Sequence, residues 1–192
     1  MLSDLRIKQP EPVVFDPGKT RVIVLTWPDN ALTAHATQWL WRHWKGHSTN
    51  VICWCQKGFY DVVRCAAVDQ FCLKAPKHIE QFVFMDRDMW PEPASDPVLT
   101  APGDIVGCFY ETGNPKAWAS PTVIHLGLAR VSRVVLETLA EERDEQNRPK
   151  PMFFFPRDVT NTKLGMCECA YFAQRAIAAG FLITRSGWCG HK

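Results

Sequence analysis

Three short apolar runs, Val22 to Thr26, Val51 to Cys55 and Gln81 to Met85, constrain this chain more than any other feature. Each reads as a strand: Val22 to Thr26 has the pattern of one covered on both faces, and Phe82 to Met85 is a buried run. Between the first two, Leu32, Ala36, Trp39, Leu40 and Trp44 recur at helical spacing. They predict a helix from Ala31 to Lys45, with Trp27-Pro28-Asp29-Asn30 breaking the chain and offering a cap, and Gly46 stopping it. Between the second and third, the chain reads as a helix from Asp61 to Lys74 that ends before Pro76. Strand, helix, strand, helix, strand in that order implies a parallel sheet with right-handed crossovers.

The second half is less regular. Pro91, Pro93, Pro97 and Pro102 mark a loop, Ile105 to Tyr110 a strand, and Gly113 to Pro121 another loop. Leu128, Val131, Val135 and Leu139 predict a helix that runs into the charged, solvated stretch from Glu141 to Lys150. Met152 to Phe155 reads as a strand, Cys169 to Ala179 as a last helix stopped by Gly180, and Phe181 to Thr184 as a final strand. The expectation is one α/β domain over residues 1–192, with a Pro-rich lead-in over 1–20 and a mostly parallel sheet that becomes mixed in its second half.

Composition removes several classes of function. A net charge of +2 with no dense Lys/Arg block gives no phosphate-neutralising face, so nucleic acid is not an expected partner. No apolar run approaches the ~18–20 residues that span a bilayer, and the N-terminus has no signal-like core, which points to the cytoplasm. The eight cysteines then read as reduced thiols. Cys167-x-Cys169 with Cys189-x-His191 has the wrong gap for a structural zinc site. Gly18-Lys19-Thr20 is not a phosphate loop, because Val13 stands where its first glycine belongs and a strand follows it.

The chemistry concentrates at Asp86 and Asp88. Ligands of open α/β sheets bind beyond the carboxyl ends of the strands, and the third strand delivers both acids to that edge. Two hard anionic oxygens suit Mn²⁺ or Mg²⁺, which in turn clamps a pyrophosphate. The plainer reading is a surface turn with two solvated acids.

Gln81-Phe82-Val83-Phe84-Met85-Asp86-Arg87-Asp88-Met89 resembles the strand and Asp-x-Asp motif of GT-A-fold glycosyltransferases. The tail adds to the resemblance: Cys167-Glu168-Cys169-Ala170-Tyr171-Phe172, Arg175-Ala176, Ala179-Gly180-Phe181 and Gly190-His191 are similar to the family's late acidic motif, helix and metal-binding histidine. The resemblance implies a GT-A-like three-layer α/β/α fold and a metal-dependent transfer of a sugar from a nucleotide-diphosphate donor to an unidentified acceptor. It implies that Asp86 and Asp88 hold metal and donor and that His191 completes the metal shell, while the acid often assigned as base is missing from its expected position; Glu168, just before the last helix, is then either the general base or only a cap of that helix. One departure stands out: the family's Glu-Asp pair is Glu168-Cys169 here.

Trp27 and Asp29, after the first strand, lie where such enzymes meet the nucleobase, and Arg64 is a candidate phosphate ligand. Ordinary packing for Trp27 and a solvated helix face for Arg64 are the competing readings. His125 falls where family members approach the acceptor, again with a bland alternative. Trp39 and Trp44 share an apolar stripe and read as core. Two other functions remain open: a nucleotidyltransferase, although Thr26 to Asn30 lacks its Gly-rich basic loop, and a non-catalytic nucleotide-sugar-binding module. The module is kept open by the altered acidic pair and by a length that leaves little room for an acceptor domain.

Overall fold

A computed structural model describes residues 11–26, 31–110, 124–153 and 167–191, with His191 described by its backbone alone. Strands β1 (Thr20–Thr26), β2 (Val51–Cys55) and β3 (Gln81–Asp86) form where the three apolar runs place them. They alternate with helix α1 (Ala34–Trp44) and helix α2 (Tyr60–Ala67), which widens into a π turn over Val68–Cys72 before Pro76. A short strand β4 (Met89–Pro91), a 3₁₀ turn (Pro93–Ser95) and a one-turn helix α3 (Pro97–Thr100) follow, then β5 (Ile105–Tyr110). The chain continues through β6 (Leu128–Ser132), α4 (Arg133–Glu141), α5 (Glu168–Ala178) and β7 (Ile183–His191).

Among the described residues the strands form one mixed sheet in the order β2-β1-β3-β6-β5-β7-β4. β1 pairs in parallel with β2 and β3, and β5 with β7, whereas β6 and β4 run against their neighbours. Alternate side chains divide between two cores. Val22, Val24, Val83, Met85, Val106 and Leu128 meet Trp39, Leu40 and Trp44 of α1. Ile23, Leu25, Phe82, Phe84, Ile105 and Val131 meet Val63 of α2, Leu136 of α4 and Phe172 of α5. Each such side chain contributes about 1.5–3 kcal/mol through burial. Trp39 and Trp44 are core residues whose indole N–H groups are satisfied, by Asp96 Oδ1 at 2.9 Å and by the Thr20 carbonyl at 2.9 Å. No helix of the described residues is long and apolar enough to cross a membrane.

Several expected elements differ. α1 begins at Ala34, and its cap is Thr33, whose hydroxyl accepts from the Ala36 N–H at 3.0 Å. The offered cap at Asp29 or Asn30 precedes it by several residues and lies outside the described residues. The single helix expected from Leu128 is a strand followed by a helix. Leu128 and Val131 stand three apart, as on a helix, but they enter opposite cores, as alternation across a strand requires. Arg130 between them is buried and spends its guanidinium on Val98, Ala101 and Gly103 carbonyls and on Gln81. The Pro-rich stretch after Asp88 holds β4 and two helical turns instead of a featureless loop. Of the strand expected over Met152 to Phe155, Met152 and Phe153 form a bend and the other two residues lie outside the described residues; Phe153 stacks on Phe172 at 4.9 Å. The last strand runs on to His191, well past Thr184.

Candidate functional site

Everything notable about the site follows from how β3 ends. Its last residue, Asp86, still donates its N–H to the Gly127 carbonyl at 2.7 Å, and Arg87 donates to Leu25 at 3.1 Å. The backbone is therefore fixed between β1 and the entrance to β6 as the side chains emerge. Arg87 and Asp88 turn the chain, and β4 carries it back antiparallel to the end of β7. In that register Met89 faces His191, so the residue after Asp88 lies opposite the histidine's backbone.

Gly187 makes this meeting possible. It sits at φ 79°, in the left-handed region, and a Cβ there would lie 2.9 Å from the Ala94 carbonyl. The register of β7 on β5 shifts beside it, between Gly107 and Phe109, which re-aims the strand toward β4.

Arg64 is the residue the sequence places least well. It is 2% exposed, not solvated, and its Nη2 donates to both Asp86 oxygens, at 2.9 and 2.8 Å. Its Nη1 reaches the Leu126 carbonyl at 3.4 Å, and its Nε lies 3.8 Å from Glu168 Oε1. The guanidinium thus points inward, at protein carboxylates. The available signal was its position: Asp61, Arg64, Ala67 and Val68 form one buried stripe of the helix, and a buried arginine requires an acid.

Glu168 occupies the first turn of α5, where free N–H groups and the helix dipole favour negative charge. Its side chain is 15% exposed, and its Oε1 also accepts from the Cys169 thiol at 3.6 Å. The structure therefore brings Asp86, Arg64 and Glu168 into one charged cluster. Burial pushes the Asp86 carboxyl above its ordinary value, with the Asp88 and Glu168 charges adding to the effect and Arg64 opposing it. Burial alone would weaken the Arg64 charge, but the neighbouring Asp86, Cys169 and Glu168 outweigh it and hold the guanidinium firmly protonated.

Asp88 is half-buried at the turn. Trp27 and Asp29 lie outside the described residues, as does the His191 side chain. His125 is half-buried, with its carbonyl 3.3 Å from the Tyr110 hydroxyl. No group of three or more His, Cys, Asp or Glu side chains among the described residues converges as a metal site. The rejected zinc pairing is split between the two faces of the sheet, with Cys169 in one core and Cys189 in the other.

Fold and cluster together define a mixed α/β domain that gathers acids at the exit of a central parallel strand. No family model matches the chain, and no curated protein is similar to it in sequence. Among solved structures it is similar to the crystal structure of A197 from STIV, at 15% identity and a TM-score of 0.57. That likeness covers 87% of this chain and 82% of the other, and it concerns the fold alone.

Proposed function

We propose that the chain is a metal-dependent, GT-A-type glycosyltransferase that takes a sugar from a nucleotide-diphosphate donor in the cytoplasm. The observation that carries this reading is the convergence of separate motifs on one edge. Asp86 and Asp88 leave β3, the tail returns His191 beside them through β4, and Glu168 joins Asp86 through Arg64. The sheet order supports it as well: parallel strands lead to the Asp-x-Asp turn, and an antiparallel β6 is inserted before the parallel pair β5 and β7.

The donor set fits a hard cation. Asp86 accepts one hydrogen bond from Arg64 at each oxygen, and a carboxylate offers about four lone-pair sites, so it retains acceptor capacity. Asp88 adds a second carboxylate at the turn, and Mn²⁺ or Mg²⁺ is the matching metal. Bound there, the ion would supply Lewis-acid neutralisation of the leaving diphosphate. Arg64 keeps the Asp86 carboxylate ionised and oriented. Glu168, with Oε1 turned to Arg64 and Cys169, takes the acceptor hydroxyl's proton at Oε2. Trp27 and Asp29 are assigned to the base of the donor.

A non-catalytic nucleotide-sugar-binding module is the second reading, favoured by Cys169 where the family carries an acid. A panel of nucleotide sugars incubated with the protein and Mn²⁺ separates the two. Slow metal-dependent release of free sugar supports the transferase, and binding without any release supports the module. The absence of both contradicts either reading.

A further inference from the structure

The two edges of the sheet are not alike. β4 is three residues long and ends in Pro91, the kind of edge that resists pairing with another chain. β2, at the other edge, is Val51-Ile52-Cys53-Trp54-Cys55, with no proline, no charge and no strand on its outer side among the described residues. The ladder shows which of its backbone groups are open. Lys19 and Leu25 turn their carbonyls toward β3, where the Gln81 and Arg87 N–H groups meet them. Val22, Val24 and Thr26 therefore direct theirs at β2, and because Val24 lies opposite Cys53, Ile52 and Trp54 answer them. The Trp54 carbonyl is accordingly within 3.4 Å of the Thr26 hydroxyl. The N–H and C=O groups of Val51, Cys53 and Cys55 face outward.

Beside this edge lies an apolar groove of about 370 Å³, walled by Leu32, Leu40, Trp41 and Trp44 on one side and by Val51 and Cys53 on the other. Trp41 is 65% exposed, and Cys53 and Cys55 are exposed as well. Lys45 Nζ sits 4.7 Å from the centre of the Trp41 ring and steadies it at the groove.

We infer that β2 is the interface of a homodimer, in which a second copy pairs with it antiparallel about a two-fold axis through Cys53 and doubles the seven-stranded sheet. In that register Cys53 meets its own copy and Val51 meets Cys55, so every outward N–H and C=O finds a partner, about six hydrogen bonds in all. A second copy is the occupant that brings this matching edge by symmetry, and the uncharged strand sets no like charges opposite one another. The axis is perpendicular to the sheet, so both α1 helices lie on one face and the two grooves merge into one cleft that both Trp41 rings enter. Trp41 adds roughly 150 Å² per copy. With the strand and groove walls each copy loses on the order of 500 Å², about 1,000 Å² in all, which is the lower bound for a specific interface. The dimer is therefore reversible, with a dissociation constant in the micromolar range.

Sedimentation velocity of the full chain at concentrations from ~1 to ~200 μM spans that range. The expected result is a shift from monomer to dimer. A short bismaleimide should trap the dimer with Cys53 joined to Cys53, whose Cβ atoms lie roughly 5.5 Å apart across the seam, just beyond the reach of a disulfide. Cys53→Ser should sediment as the wild type and lose that cross-link. Cys53→Lys sets two ammonium groups opposite each other on the axis, and Trp41→Glu puts a charge into the cleft. Both replace exposed side chains, so both should keep the wild-type circular dichroism and sediment as monomers. A monomer at every concentration overturns the inference, as does a dimer that survives both substitutions or cross-links without Cys53. No nucleotide sugar enters these measurements, so their outcome is independent of the sugar-transfer reading.

Discussion

Replacing Arg64 with Met tests the charged cluster at its centre. The substitution preserves much of the apolar stem but removes a cation that is 2% exposed and holds both Asp86 oxygens within 3 Å. Removing one partner of a buried ion pair costs about 3–5 kcal/mol, because the other charge is left in a poorly solvated place. Asp86 keeps 16% exposure, so water relieves part of that cost and the low end, about 3 kcal/mol, is expected. For a chain of this size that corresponds to a fall in Tm of roughly 6–12 °C, measured by calorimetry or by circular dichroism on heating. Arg64→Lys should recover only part of the loss, since an ammonium cannot form the planar fork.

The pH dependence fixes the sign. With Arg64 gone, nothing opposes the burial that already raises the Asp86 pKa, so the folded chain holds that proton more tightly than the unfolded chain does. A pKa raised on folding gives stability that is present at low pH and lost as pH rises through the folded value. The Arg64→Met defect should therefore shrink as pH falls below neutrality. A change within about 0.5 kcal/mol, the range of an exposed surface substitution, would refute the placement of Arg64 as the buried tie between the two acids.

Glu168→Gln should depress sugar transfer by roughly 10²–10⁴ while donor affinity stays near wild type, as loss of a general base requires; a loss of stability with nearly normal turnover would make Glu168 a helix-terminus residue only. Deleting His191 and Lys192 should weaken Mn²⁺ binding and leave the circular dichroism unchanged, and unaltered metal affinity would restrict the site to Asp86 and Asp88. Thr33→Ala should cost about 1 kcal/mol in urea unfolding through loss of the α1 cap, with a little more from its 3.0 Å hydrogen bond to the Met89 carbonyl.

The three apolar runs of the first half made the parallel strands legible; for β1 and β3 continuous Val, Ile, Leu and Phe leave few other ways to bury both faces, whereas β2 lies at the sheet edge with Cys53 and Cys55 exposed. The same continuity located the exit of β3, and with it Asp86 and Asp88. The second half was harder for identifiable reasons. Leu128 and Val131 satisfy a helical period and a strand equally well, and only the neighbours on each face decide between them. β4 is three residues long and contains a proline, so no local pattern announces it; it exists because the end of β7 pairs with it. Arg64 was visible as a charge on a helix. Its partner lies twenty-two residues away on another element, and chain separation carries no information about that contact. Glu168 was legible as a late acid before a helix, whereas its neighbourhood with Arg64 emerges only in three dimensions.

Calorimetric titration of nucleotide-diphospho-sugars into the protein, with and without Mn²⁺ and repeated with Asp88→Asn, is the most direct test of the acidic edge as a metal-dependent donor site. The expected result is binding of at least one donor that requires Mn²⁺ and disappears in Asp88→Asn, while that variant melts at the wild-type temperature. Donor binding that is indifferent to Mn²⁺ and to the substitution, or no binding of any nucleotide sugar by the folded protein, would contradict it.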